Sequence, residues 1–360
     1  MSYDQGRAVP PGRLRYEGSG ARIWGIALGN LGLNILTLGI WRFWGIVRVR
    51  RYIWAAIRFD GDSFEFAGTG GELFRGFLLA LLVFGLPIAA LGSAAEYLAL
   101  DDQMALAGLM EAAVYGFVLA MAAIGIYRAR RYRLSRTRWR GIRGGLGGSS
   151  WGYLWRCALW LLATGLSLGL AYPWGRCVVT RYVWNRTEFG NLVCTLTLPA
   201  GPLFRRWLAV WGVVAVYVAG FAGFGAAIVS DALGNPLPVR FYDWRAVAAV
   251  ATLLMLPLAV WFYARYRAFE LRAIAAGLRW GELRFRFDIR TGPFLWLIAT
   301  NFLIVLLTLG IGVPYAMHRW VRFASNSLDI EGKQDFELVL QNQSLAPRYG
   351  EGLVSLLDAE

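Results

Sequence analysis

The sequence predicts a mainly α, polytopic helical membrane protein built from internal repeats, with short strands able to form a small cytoplasmic sheet. Three observations carry that expectation. First, 57% of the 360 residues are apolar and only 17% are charged, with a mean hydropathy of +0.46. That is well above an ordinary soluble domain. Second, seven apolar blocks run over 23–41, 76–100, 104–127, 153–174, 207–230, 244–264 and 293–313. Each approaches the roughly 20 residues needed to cross a hydrocarbon core of about 30 Å. Third, one polar-edged segment recurs five times, always after an apolar stretch, which is the signature of a repeated architecture.

The copies open with Arg50-Arg51-Tyr52, Arg130-Arg131-Tyr132, Arg181-Tyr182, Arg265-Tyr266-Arg267 and Arg319-Trp320. They lead to Phe64-Glu65-Phe66, Trp139-Arg140-Gly141, Thr195-Leu196-Thr197-Leu198, Arg284-Phe285-Arg286-Phe287 and Phe336-Glu337-Leu338-Val339-Leu340. The plan is an apolar helix, a basic-aromatic extension, a turn and a short alternating strand. The expected division is a flexible polar N-terminus over 1–22, one membrane domain over 23–345 and a C-terminal tail over 346–360.

Two kinds of block alternate. Break-type blocks carry Leu36-Thr37-Leu38-Gly39-Ile40, Leu166-Ser167-Leu168-Gly169-Leu170 or Leu307-Thr308-Leu309-Gly310-Ile311. In two of them a Pro-aromatic pair follows, Pro173-Trp174 or Pro314-Tyr315, suited to the first turn of a new helix. The other blocks form hairpins, 76–100 with 104–127 and 207–230 with 244–264. The first has an acidic tip at Asp101-Asp102.

Arginine flanks the break-type blocks on both sides, so a single crossing would export one cluster against the positive-inside bias. Either these blocks enter the membrane and return, bending at Leu-Thr-Leu-Gly, or all seven cross and some arginines face outward. The net charge of +14 is almost wholly arginine, Lys333 being the only lysine. Because the arginines gather at block ends, anionic lipid explains them better than nucleic acid does, and no nucleic-acid partner is expected. Arg50, Arg51, Arg130, Arg131, Arg181, Arg265 and Arg319 are the candidate lipid-headgroup contacts. Seventeen tryptophans and sixteen tyrosines suit long membrane–water boundaries.

The combination of Leu-Thr-Leu-Gly-Ile, a Pro-Trp pair, Arg-x-x-Arg-Tyr and Phe-x-Gly-x-x-Phe-x-Phe-x-Gly resembles the YjgN-like family of bacterial inner-membrane proteins, a domain family of unknown function. The resemblance runs from about Ile23 to Leu340 and is densest over Leu36–Gly71, Thr137–Gly148 and Leu166–Gly190. Phe43-Trp44 and Tyr315 depart from the Pro-Trp pattern. The resemblance implies a multi-pass protein of the bacterial inner membrane and supplies no catalytic or ligand residues.

Nothing in the sequence assembles an enzyme site. Gly68-Thr69-Gly70-Gly71 and Gly144–Gly148 lack the lysine and hydroxyl of a phosphate loop. His318 is the only histidine, and Cys157, Cys177 and Cys194 have no metal-site spacing. No cofactor or metal is expected. Polar side chains inside apolar blocks are the better signal, because lipid penalises them unless they are paired or hydrated. Asn30, Asn34, Asn301, Arg156, Glu96 and Glu111 qualify. Asn30 and Asn301 each stand nine residues before a break glycine. They read either as helix-to-helix bonds or, with Arg156, as a polar pathway between repeats for a small solute, anionic or otherwise. A transporter and a structural, anionic-lipid-binding scaffold are therefore both expected readings.

Overall fold

The computed structural model describes residues 14–232 and 241–332. Pairs of strands alternate with pairs of helices throughout. The strands are β1 Arg15–Tyr16, β2 Ile57–Phe59, β3 Asp62–Phe66, β4 Thr137–Trp139, β5 Ile142–Leu146, β6 Thr187–Phe189, β7 Leu192–Leu196, β8 Leu278–Trp280, β9 Leu283–Phe287 and β10 Leu328–Glu331. Each pairs antiparallel with the next in sequence, giving one ten-stranded meander among the described residues.

Two-residue turns set the register. Asp60-Gly61 and Arg140-Gly141 have positive φ at both central positions (+50° and +86°, +47° and +78°), as a type I′ turn requires. Gly190 and Gly281 supply positive φ at the first position of theirs. Arg140 also clamps two turns together, reaching Asp62 at 2.5 Å and Asp60 at 3.1 Å. These bonds, that to Asp62 foremost, raise its pKa.

Five helical hairpins leave this sheet and come back to it. Hairpin I is α1 Gly20–Leu36 with α2 Arg42–Ala56. Hairpin II leaves as α3 Gly70–Ala80, a π turn at Leu81–Gly85 and α4 Leu86–Leu100, and returns as α5 Met104–Ser135. Hairpin III is α6 Ser150–Leu166 with α7 Tyr172–Trp184, and hairpin IV is α8 Ala200–Ala232 with α9 Phe241–Gly277. Hairpin V is α10 Thr291–Leu307 with α11 Val313–Ser327. Starts follow local chemistry: Thr69 and Glu72 form a reciprocal capping box on α3, and Pro173 and Pro314 sit in the first turns of α7 and α11.

Neighbouring hairpins pack side by side in chain order, and α11 closes the ring on α1 and β1. Tyr16 and His318 share a 2.8 Å hydrogen bond across that seam, with His318 buried. The lone histidine is thus a structural fastener between segments 302 residues apart. Inside the sheet, Phe59, Trp139, Phe189 and Trp280 form a file of rings with centroids 5.3, 6.1 and 5.4 Å apart. Such spacings favour offset and edge-on aromatic contact, which adds to the burial of large apolar area.

Two elements differ from the sequence reading. Each turn is preceded by a three-residue strand (β2, β4, β6, β8) that reads in sequence as the end of the basic extension. Residues 14–22 are also not a flexible leader, because Arg15 and Tyr16 pair with Arg58 and Ile57 and α1 begins at Gly20. The half-buried Tyr16, bonded to His318 at the ring seam, supplies the reason. The strand expected over Phe336–Leu340 and the tail over 346–360 lie outside the described residues.

The three break elements become tips of hairpins I, III and V. Leu38 and Gly39 take φ of +50° and +88°, Leu168 and Gly169 +51° and +94°, Leu309 and Gly310 +49° and +90°. The left-handed glycine closes each first helix: Gly39 N–H donates to Asn34 O at 2.7 Å and Leu38 N–H to Ile35 O at 3.3 Å. The hydroxyl residue then serves both helices. Thr37 Oγ1 donates to Leu33 O at 2.7 Å and accepts from Trp41 N–H at 2.9 Å. Thr308 repeats both bonds at 2.6 and 2.8 Å, and Ser167 accepts from Ala171 N–H at 2.9 Å.

These tips bond their own backbone and expose apolar side chains, Leu38 at 94% and Leu309 at 91%. An apolar tip with its backbone groups internally paired is compatible with a hydrocarbon surround, where unpaired backbone groups would be prohibitive. Hairpin II ends instead in exposed Asp101-Asp102-Gln103. Length agrees: α1, α6 and α10 have 17 residues, about 25 Å at 1.5 Å per residue. The limb Gly70–Leu100 has 31, about 46 Å. The first helices of the short hairpins are thus little more than half as long as the outgoing limb of hairpin II.

Candidate functional site

Hairpins I and V are adjacent short members of the ring, and a cavity of about 890 Å³ opens where they meet. Helix α1 contributes Asn30 and Asn34, α2 contributes Arg42, Arg50 and Trp54, and α5 contributes Arg133. The tip of hairpin V, Leu309-Gly310-Ile311, forms the facing wall. Among the described residues lining it there is no carboxylate, so three guanidinium groups give the hollow a positive potential. The Asn34 carboxamide oxygen is buried there without a hydrogen-bond partner in the protein. Chemically, the arrangement could accommodate an anionic group, and its described lining residues offer no carboxylate, histidine, cysteine, serine or threonine. Among the described residues no cluster of histidine, cysteine, aspartate and glutamate could hold a metal ion.

Of the three pathway candidates, only Asn30 reaches this cavity. Its Nδ2 donates to Gly45 O at 3.3 Å and its Oδ1 accepts from Trp41 Nε1 at 3.4 Å, stitching α1 to α2. Asn301 makes the same stitch in hairpin V, donating to Ala316 O at 3.3 Å and accepting from Arg319 Nη1 at 2.9 Å. Arg156 stands on hairpin III, separated from Asn30 by hairpin II. It is spent locally, donating to Gly152 O at 2.6 Å and lying 4.3 Å over the Tyr182 ring. The expected grouping of Asn30, Asn301 and Arg156 therefore does not form, because two of the three satisfy their own hairpins. Glu96 and Glu111 are exposed on hairpin II within ten residues of its acidic tip.

The candidate headgroup arginines divide. Arg51, Arg181 and Arg265 are exposed, as expected, though Arg51 also donates to Gly68 O at 2.9 Å. Arg130 and Arg131 are half-buried, Arg130 stacking 5.0 Å over Trp184. Arg319 is bound to Asn301, and Arg50 faces the cavity.

Sequence reasoning passed over Arg42 and Arg133 in the cavity, and over two acid clamps. Glu72 on α3 is held by Arg136 at 2.9 Å and by Tyr132 Oη at 2.9 Å. Glu270 on α9 is fully buried and binds Arg176 of α7 at 2.9 Å together with Arg267. A lone acid inside an arginine run was the available signal for Glu270. Cys194 in β7 is buried as well, and burial pushes its thiol up to about 12, so it is unreactive at neutral pH.

The apolar hairpins, exposed leucine tips and arginine-rich base describe a membrane protein. A family described as "Bacterial protein of unknown function (DUF898)" matches residues 11–356. The chain belongs to this family. Inner membrane protein YjgN of Salmonella typhimurium is 21% identical over 373 residues, covering 89% of each chain. Inner membrane protein YjgN of Escherichia coli K12 is 35% identical over 66 residues, 18% of this chain and 17% of its own. No solved structure matches. With these relatives and its apolar helices, the protein is a multi-pass protein of the bacterial inner membrane.

Proposed function

We propose that this protein is a non-enzymatic inner-membrane protein that binds a small anionic solute in the cavity between hairpins I and V and moves it across the bilayer. One observation carries the reading: Arg42, Arg50 and Arg133 line one hollow without a lining carboxylate. Like charges gathered without a partner acid disfavour one another, and an anionic ligand among them offsets that cost. The tips of hairpins I and V resemble the broken helices that build midplane sites in transporters. The repeated hairpins descend from one duplicated unit, and the sheet lies in the cytoplasm because arginine dominates its strands while Asp101-Asp102 marks the far tip.

Two measurements test it. In a background lacking Cys157, Cys177 and Cys194, Asp102→Cys should react with an impermeant maleimide in intact cells and Asn191→Cys only after permeabilisation. Leu38→Cys should react from neither side. Labelling of Asn191→Cys from outside would refute the cytoplasmic sheet. In proteoliposomes loaded with phosphate or acetate, Arg50→Gln with Arg133→Gln should cut efflux roughly ten-fold or more, a charged hydrogen bond being worth about 1.5–3 kcal/mol. Arg156→Gln should leave it unchanged. Equal efflux from the wild type and the double variant removes the transport reading.

The second reading, an anionic-lipid scaffold, is supported by the exposed Arg51, Arg181 and Arg265 at the hairpin bases.

A further inference from the structure

Between α3 with its π turn and α5 runs an apolar groove of about 380 Å³, walled by Leu79, Val83, Phe84, Ile124 and Gly125. Its polar residues, Arg50, Arg128, Tyr132 and Glu72, all belong to the sheet-side turns of their helices. Glu72 is already engaged by Arg136 and Tyr132, so its charge is spent inside the fold. The mouth is therefore basic and the remainder greasy. Val83 and Phe84 belong to the π turn at Leu81–Gly85, an interruption of regular helix that often marks a functional site. Gly76 and Gly125 leave the groove open, since a Cβ at either position would meet nothing within 4 Å.

Arg50 lines both this groove and the cationic cavity. The two hollows therefore meet at a guanidinium group. A soluble anion would occupy the cavity and have no use for the groove. A fatty tail alone would not need Arg42 and Arg133. We infer that the two spaces together hold one anionic glycerophospholipid, its phosphate among Arg50 and Arg133 and one acyl chain along the groove between α3 and α5. The inference rests on reading the cavity as an anion site and names the class of molecule that fills it. The short hairpins bring the cavity to a depth that a headgroup drawn inward from the cytoplasmic leaflet could reach, and the groove keeps the chain among apolar side chains throughout.

The test uses full-length protein in phosphatidylcholine nanodiscs with a trace of phosphatidylglycerol carrying an acyl-chain diazirine. Photolabel should concentrate on α3 and α5 peptides, and unlabelled phosphatidylglycerol should compete where phosphatidylcholine does not. Arg50→Gln should lower that labelling about five-fold, the usual worth of one arginine to an anionic headgroup. Gly125→Phe fills the groove and should lower it as far, with Gly76→Leu as a second filling variant. Label spread evenly over the lipid-facing helices and indifferent to Gly125→Phe overturns the lipid inference. If phosphate efflux still falls in Arg50→Gln, the transport reading survives that result. If neither labelling nor efflux responds to Arg50→Gln, both readings fail.

Discussion

Leu38→Asp is expected to lose about 2.5–3.5 kcal/mol of membrane-insertion free energy, the cost of an acidic side chain near the bilayer centre. The triple change at Leu38, Leu168 and Leu309 should leave little correctly inserted protein. The reason lies in the tip geometry. Each leucine sits at a left-handed turn with its side chain almost wholly exposed, at 94%, 80% and 91%. The backbone around it is satisfied by the glycine and the hydroxyl residue, so the leucine has no packing role within the chain and is free to face lipid. Leu100 is the matched control. It is 82% exposed at the end of α4, but its neighbours are Asp101 and Asp102, so Leu100→Asp should be nearly silent. Inserted fraction after urea extraction, with gel filtration of a fluorescent fusion, separates the two cases. Equal outcomes for Leu38→Asp and Leu100→Asp would place the short tips in water and make hairpins I, III and V full crossings.

How much of this was legible beforehand depends on the range over which each feature is encoded. The tips were visible because Leu-Thr-Leu-Gly recurs within five residues, although the purpose of its second position emerges only as the two bonds of Thr37 and Thr308. Strands β3 and β9 alternate over five residues and could be read. Their three-residue partners could not, because period two needs more positions and Arg138-Trp139 merges with the basic run before it. Closure of the ring was invisible, since Tyr16 and His318 meet only when every intervening hairpin has returned to the sheet. Asn30 was found because a carboxamide stands out in an apolar block. Arg42, Arg50 and Arg133 were not grouped, because on a helix dense in arginine neither spacing nor composition says which guanidinium group turns inward.

Glu270 supplies the other large effect. Glu270→Leu should destabilise the protein by about 3–5 kcal/mol, the typical result of removing one partner from a buried ionic cluster. The apparent melting temperature should then fall by roughly 5–15 °C. Two features decide the size. The Glu270 side chain is 1% exposed, and both Arg176 and Arg267 point at it, at 36% and 27% exposure, so its loss leaves two partly desolvated cations facing each other. The contact also joins α7 to α9, so the damage falls on the packing of hairpin III against hairpin IV. Removing all three charges together, Glu270→Leu with Arg176→Met and Arg267→Met, should recover most of the loss, because the desolvation penalty leaves with the charges. A full set of single and combined variants measured by fluorescence-detected thermal unfolding checks the sign of that recovery. If the triple variant were no more stable than Glu270→Leu, the arginines would be acting through apolar stems packed between the helices rather than through their charge.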